Sequence, residues 1–264
     1  VMDQHAFQDT VWATTRELYR AMPWRDEPSL YHVLVSEIML QQTQVSRVMT
    51  KYAEFMQTFP TLAALANASL ADVLGAWQGL GYNRRAKYLH LAAKQIVERG
   101  EPRTLEELIA LPGIGANTAA AIMNYVYEVP VAYVETNIRT VYFHHFFPNH
   151  QQVSDKEVLQ LVQDTMDTEH SREWFWALMD YGASLKSQGL GRLNASKHYK
   201  QQSPLKGSVR EVRGQIIRLL TAGPMAANVL MHECGDDARY TRAVAGLKSD
   251  GLITEANGMI RLTN

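Results

Sequence analysis

Cysteine is nearly missing from this chain of 264 residues, with Cys234 its one representative. A lone thiol excludes an internal disulfide and any cluster held by four thiolates. Also missing is an apolar run long enough to span a bilayer. The first residues, VMDQHAFQDTVW, lack the basic-then-apolar order of a signal peptide. Excess charge is absent too: 26 Lys and Arg stand against 27 Asp and Glu. That balance argues weakly against a nucleic-acid partner, although a net value averages over local asymmetry. A cytoplasmic setting without membrane contact is the expectation.

What is present is helix in quantity. Apolar residues recur at three- and four-residue spacing in stretches such as VLVSEIML and VSRVMTKYAEFM. The pattern predicts helices over 4–21, 30–41, 44–59, 61–67, 69–78, 84–99, 104–110, 116–128, 136–147, 154–166 and 171–184. Ser69 and Thr104 stand where N-caps belong. Short helices joined by tight turns imply an all-α assembly. Residues 189–207, rich in Ser, Gln, Asn, Gly and Lys, read as a linker or extended loop. Beyond them, three helical stretches precede two short strands around Asn257-Gly258, a hairpin signal. Residues 208–264 therefore read as a small winged-helix-like α+β domain. Its third helix would carry Arg239, Tyr240, Arg242 and Lys248 toward a groove; a packing module is the bland alternative.

Charge is unevenly spread. From Ser184 to Arg218, eight basic residues face Glu211 alone, and the helix after GLGYN brings Arg84, Arg85, Lys87 and Lys94. Such patches suit phosphates, or are simply solvated helix faces. Between the helices, LPGIGANTAAAI (residues 111–122) carries no charged side chain. Pro112 ends the helix before it, and Gly113 and Gly115 permit a tight turn and close backbone approach. The helix beginning near Asn117 then offers free N–H groups and its dipole to an anion, a contact that needs no side-chain charge and reads no sequence. A plain turn between packed helices is the alternative.

Followed by VETNIRTV, this hairpin resembles the helix-hairpin-helix DNA glycosylase superfamily. MPWRDEPSLYHVLVSEIMLQQTQVSRV and WQGLGYNRRAKYLHLAA resemble its adenine glycosylase (MutY) branch more than its endonuclease III branch. The similarity runs from about residue 10 to 185. It implies two helical subdomains with the active site in the cleft between them. One would be discontinuous (1–29 and 131–188) and the other continuous (30–130), with the hairpin at 108–122. The linker and winged-helix-like domain would follow.

Cleaving an N-glycosidic bond calls for a proton donor to the departing base and negative charge near the sugar as an oxocarbenium-like cation develops. The target nucleotide must first leave the stack. Two carboxylates match the family positions. Glu37, inside apolar VLVSEIML, would have its pKa raised by burial and serve as general acid; an acid on the helix surface is the alternative. Glu135, in VETN, stands where the family carries aspartate. Its extra methylene adds roughly an ångström of reach, a misplacement that can cost about a hundredfold in rate. The expectation is backbone compensation, with the helix dipole holding Glu135 ionised and Asn137 orienting it or the attacking water. A mere capping acid, with chemistry lost, is the alternative. Asn117 stands where bifunctional members carry the Schiff-base lysine, so the resemblance implies hydrolysis to an abasic site without strand cleavage.

The resemblance further implies Arg25 and Asn117 beside the flipped base, and Gln42 and Tyr82 as wedge or opposite-strand residues. Arg84, Arg85, Leu111, Gly113, Gly115, Thr118, Lys197 and Lys200 would complete the DNA surface. Adenine opposite 8-oxoguanine is the leading substrate. Thymine or uracil mismatches and other modified bases stay open, as does, from another class, a noncatalytic DNA-binding relic. Two departures stand out. Many relatives follow MDxGA with four cysteines for an iron–sulfur cluster, whereas MDYGASLKSQGLGRLNASKHYKQQ has none; no cluster is expected, while a monovalent cation at the hairpin stays open. The resemblance also implies a Nudix-related C-terminal domain, where residues 208–264 read instead as the winged-helix-like unit. His144-His145 offers no metal site, because adjacent helical residues diverge. The expected partner is lesion-bearing duplex DNA, met by a monomer at the nucleoid.

Overall fold

The computed structural model describes residues 3–150, 152–191, 195–197 and 204–263. Its helices begin with α1 (Gln4–Leu18), α2 (Pro23–Asp26), α3 (Leu30–Leu40), α4 (Val45–Thr58), α5 (Leu62–Asn67), α6 (Leu70–Ala76) and α7 (Arg84–Arg99). Next come α8 (Leu105–Ile109), α9 (Ala116–Tyr127), α10 (Thr136–Phe146), α11 (Asp155–Thr165) and α12 (Ser171–Ser187). The C-terminal part adds α13 (Val209–Leu220), β1 (Met225–Ala226), α14 (Ala227–Cys234), α15 (Ala238–Ser249), β2 (Ile253–Ala256) and β3 (Met259–Leu262). The fold is thus mostly helical with a small terminal sheet, as the periodicity implies. Short α2, opened by Pro23, escapes a pattern built on longer windows.

The chain divides into two units, one of residues 1–33, 103–110 and 114–201, the other of 34–102, 111–113 and 202–264. This grouping departs from the expected division twice. Helices α8 and α9 belong with the terminal helices, because α9 packs on α12. The C-terminal module belongs with α4–α7 rather than standing alone.

In the first unit α12 is the central helix, packed by α1 and α10. Phe7 of α1 is fully buried and meets the rings of Tyr142, Phe146 and Trp174 at 5.1, 5.0 and 6.1 Å. Burying an aromatic of this size contributes on the order of 2–3 kcal/mol. Below this core, buried Asp180 receives Arg25 through two bonds (2.7 and 3.0 Å) and Arg20 Nε at 2.6 Å. Residues Ala195 to Lys197 are pinned through their backbones to Val153.

In the second unit α5 and α6 pack on α7, around fully buried Leu65, Leu74, Trp77 and Leu89. Ser69 caps α6 by accepting from the Asp72 amide (3.0 Å), and in the first unit Thr104 forms a capping box with Glu107 ahead of α8. The sheet runs β1-β3-β2, all antiparallel, and β2 and β3 turn at Asn257-Gly258 as expected.

Candidate active site

Glu135 is the N-cap of α10. Its Oε1 accepts from the backbone amides of Asn137 and of Ile138, the latter at 2.9 Å, so the carboxylate folds back onto the helix start. Desolvation is the largest influence on this carboxyl and pushes its pKa above the ordinary value. The Ile138 amide, Lys186, the Asn137 amide and Arg139 all pull the other way, in that order. Burial thus outweighs the helix start in setting the direction of the shift. Asn137 aims Nδ2 at Glu135 Oε2 (3.4 Å), while its Oδ1 is enclosed with no partner among the described residues. An unmade bond of this kind costs roughly 1–3 kcal/mol.

Neutral groups fix the backbone on either side of this carboxylate. Asn117 Nδ2 donates to the Val134 carbonyl at 2.7 Å. On α12, Gly182 lies so close that a Cβ would strike the Asn137 carbonyl, with its carbon at 2.7 Å. Only a hydrogen atom fits there. Lys186, one turn further along α12, is partly desolvated and has its pKa lowered by burial, with Glu135 acting in the opposite direction. The spacing of MDYGA hints at Gly182; nothing local marks Lys186, which reads as one more cation of a basic patch.

Glu37 lies on α3, half-buried among buried Ser36, Ile38 and Met39 rather than enclosed. It falls in the second unit and Glu135 in the first.

Three expected contacts prove to be scaffold. Arg25 is buried, held by Asp180 and the Arg20 carbonyl and stacked over Tyr19 and Trp176; these neighbours occupy the guanidinium expected beside a base. Arg85 is buried as well, donating to carbonyls of Ile38, Met39, Leu80 and Gly81 and to Thr43 Oγ1. It ties the turn after α3 to the turn before α7 and is not free for phosphate. Leu111 is buried.

The glycines of the hairpin are open. Gly113 and Gly115 are exposed, and Gly115, the N-cap of α9, has no side chain to cover the first amides of that helix. Gly113 has φ +77° and sits where a Cβ would meet Tyr88 Cβ at 2.7 Å, so glycine is required twice over. Its carbonyl is approached by Gln41 Nε2 at 3.5 Å, a contact that competes with any cation there. Thr118 is half-buried in the first turn of α9.

Gln42 and Tyr82 are both exposed with left-handed backbones, φ 58° and 47°. Non-glycine residues adopt that conformation at a cost. Both line a cavity of about 600 Å³ in the second unit, together with Arg84, Arg210 and Arg213. Arg210 donates to Tyr82 Oη at 2.8 Å. Asp250, ending α15, pairs with Arg213 and, at 3.6 Å, with Arg84, while Lys87 Nζ donates to its carbonyl at 2.7 Å. Of the α15 residues expected in a groove, Tyr240 is buried, and Arg239 and Lys248 are paired with Asp237 and Glu255. Arg242 is exposed. Lys197 is exposed, and Lys200 lies outside the described residues. Among the described residues no group of His, Cys, Asp and Glu is arranged to hold a metal ion, and no helix is long and apolar enough to cross a membrane. One cysteine in the whole chain does not fit a four-thiolate cluster.

A model of the HhH-GPD superfamily base excision DNA repair protein matches residues 35–167. An adenine DNA glycosylase of Mycolicibacterium smegmatis is 32% identical over 270 residues, covering 92% of this chain and 91% of that protein. The adenine DNA glycosylase of Mycobacterium tuberculosis is 32% identical over 282 residues, covering 95% and 91%. Among solved structures, a thermostable thymine-DNA glycosylase aligns with a TM-score of 0.60 at 23% identity, over 68% of this chain and 86% of that one.

Proposed function

This chain belongs to the HhH-GPD superfamily of base excision DNA repair proteins, and on that premise we propose that it is a monofunctional glycosylase that hydrolyses the N-glycosidic bond of adenine opposite 8-oxoguanine. The substrate is inferred from the adenine DNA glycosylases that are 32% identical over nearly their whole length. The observation that carries the chemistry is Glu135, a carboxylate held at a helix N-terminus by two backbone amides.

The proposed hairpin grip on the DNA backbone uses Gly113, Gly115 and the first amides of α9, with Lys197, Lys200 and Arg84 adding charge. Gln42 and Tyr82, both exposed, wedge into the duplex. Glu37 gives its proton to the leaving base as the C1′–N bond breaks. Ionised Glu135 faces the developing positive charge on the sugar, oriented by Asn137. Water adds at C1′, its proton passes to a carboxylate, and an abasic site remains. Asn117 carries an amide in place of an amine and cannot form the Schiff base that precedes strand scission.

The test is a panel of duplexes pairing adenine, thymine or uracil with guanine or 8-oxoguanine, developed with and without alkali. The expected outcome is product from adenine opposite 8-oxoguanine, seen only after alkali. Breaks without alkali would contradict the reading of Asn117, and product from another pair would reassign the substrate. Binding with no product on any duplex would leave a DNA-binding protein only.

A further inference from the structure

The segment that delivers Glu135 has no regular structure of its own between the end of α9 and the start of α10. It is registered against α9 by two asparagines of that helix. Buried Asn124 donates to the Val131 carbonyl at 2.8 Å and accepts from the Val131 amide at 3.3 Å. Asn117 donates to the Val134 carbonyl at 2.7 Å. Residues seven apart share one helix face, and seven residues of helix rise about 10.5 Å. Three residues of extended chain span about 10 Å. The two lengths match, so the chain runs back beside α9 with one clamp at each end. Tyr133, between the clamps, meets Tyr125 Oη at 2.7 Å and the Phe175 ring at 4.9 Å.

We infer that Asn117 is a positioning residue for Glu135: its amide sets the distance between the carboxylate and the Gly115 end of α9. The segment returns toward that end, and Val134 is the last residue before Glu135. Gly182 closes the opposite side by packing on the Asn137 carbonyl. The carboxylate therefore keeps a constant offset from the first amides of α9, the same amides proposed to hold the strand. One rigid helix carries both the grip and the register of the chemistry. Without the Asn117 clamp, the Val134 carbonyl loses this donor, and the register of the N-cap against α9 is loosened.

The inference rests on Glu135 being the catalytic carboxylate, and the experiment separates the two. Asn117→Leu, close in size but without a donor, and Asn117→Gln, with the donor kept, are compared with the parent on a duplex carrying adenine opposite 8-oxoguanine. Asn117→Leu leaves the carbonyl of buried Val134 without this donor and should melt somewhat below the parent, so rates are compared at a temperature where every variant is fully folded; Asn117→Ala replaces Asn117→Leu if the leucine perturbs folding. Single-turnover excision by Asn117→Leu should fall about ten- to a hundredfold, the scale of an ångström's misplacement. Its affinity for the duplex should fall far less than its rate, and Asn117→Gln, which keeps a donor but adds a methylene, should recover part of the rate. A crystal structure of Asn117→Leu should show Val134 moved from α9, a readout independent of turnover. A parent-like rate, an unmoved Val134, or an affinity lost in step with rate would overturn the inference. Full activity in Glu135→Gln would instead remove the catalytic reading beneath it.

Discussion

Two regions of this molecule handle charge in opposite ways. At the start of α10 a single carboxylate is held by neutral groups: two helix amides, the Asn117 amide one residue upstream, and a glycine that lets α12 close in. On the surface of the second unit, cations are held by a counter-charge: Arg84 and Arg213 by Asp250, with Lys87 on the neighbouring carbonyl. Backbone dipoles and packing do not dissociate, so they suit a group whose position must not vary. Partly exposed ion pairs contribute only about 0–1 kcal/mol each, so a polyanion can exchange for them. Geometry is kept in the first region and affinity in the second.

Short of removing a carboxylate, Gly182→Ala should break the first region hardest. The added methyl must displace the Asn137 carbonyl, an overpacking cost of about 1–3 kcal/mol. Calorimetry should show a lowered Tm, and excision should fall by more than stability alone explains, because Asn137 and Glu135 move together. An unchanged Tm would mean that the close approach is relaxed in solution.

The electrostatics of that region set a smaller effect. Glu135 must be ionised to face positive charge, and its raised pKa places the acid limb of the rate profile above that of an ordinary glutamate. The same shift makes ionised Glu135 a cost to folding, since stability falls as pH rises through a carboxyl pKa that folding has raised. Lys186→Met removes a cation that pulls the pKa down. The acid limb should move to still higher pH, with the plateau rate nearly kept; movement to lower pH would contradict the assigned influence of Lys186.

The smallest effect belongs to the second region. Asp250→Asn releases Arg84 and Arg213 from their shared carboxylate. Duplex affinity should rise a fewfold at low salt, with a steeper dependence on salt concentration, since each added phosphate contact releases counterions. Weaker binding would show that Asp250 serves to dock the C-terminal module rather than to occupy exchangeable cations.

Much of this was legible in the residues. Ser69 and Thr104 cap the helices that their positions suggest, and Asn257-Gly258 turns the hairpin. These features depend on neighbours within a few positions. The burial of Arg25 and Arg85 is not legible, for the converse reason. Nothing near Arg25 announces Asp180, and two of the carbonyls that hold Arg85, those of Ile38 and Met39, come from the end of α3, more than forty positions away. An arginine sequestered by distant acceptors looks, in sequence, like one facing solvent. The partner of Asn117 lies 17 positions along the chain and is a backbone oxygen, which leaves no side-chain signature. The place of Glu135 at the start of α10 is legible from VETN, but the contest between desolvation and helix amides over its proton is not.

The account depends most on one side chain being chemical rather than a cap. Single-turnover excision by Glu135→Gln, measured beside its affinity for the same adenine–8-oxoguanine duplex, addresses that directly. Glutamine still accepts from the α10 amides, so the predicted result is parent-like binding with excision slowed by at least about a hundredfold. Parent-like excision would contradict the account and leave Glu135 as a helix cap alone.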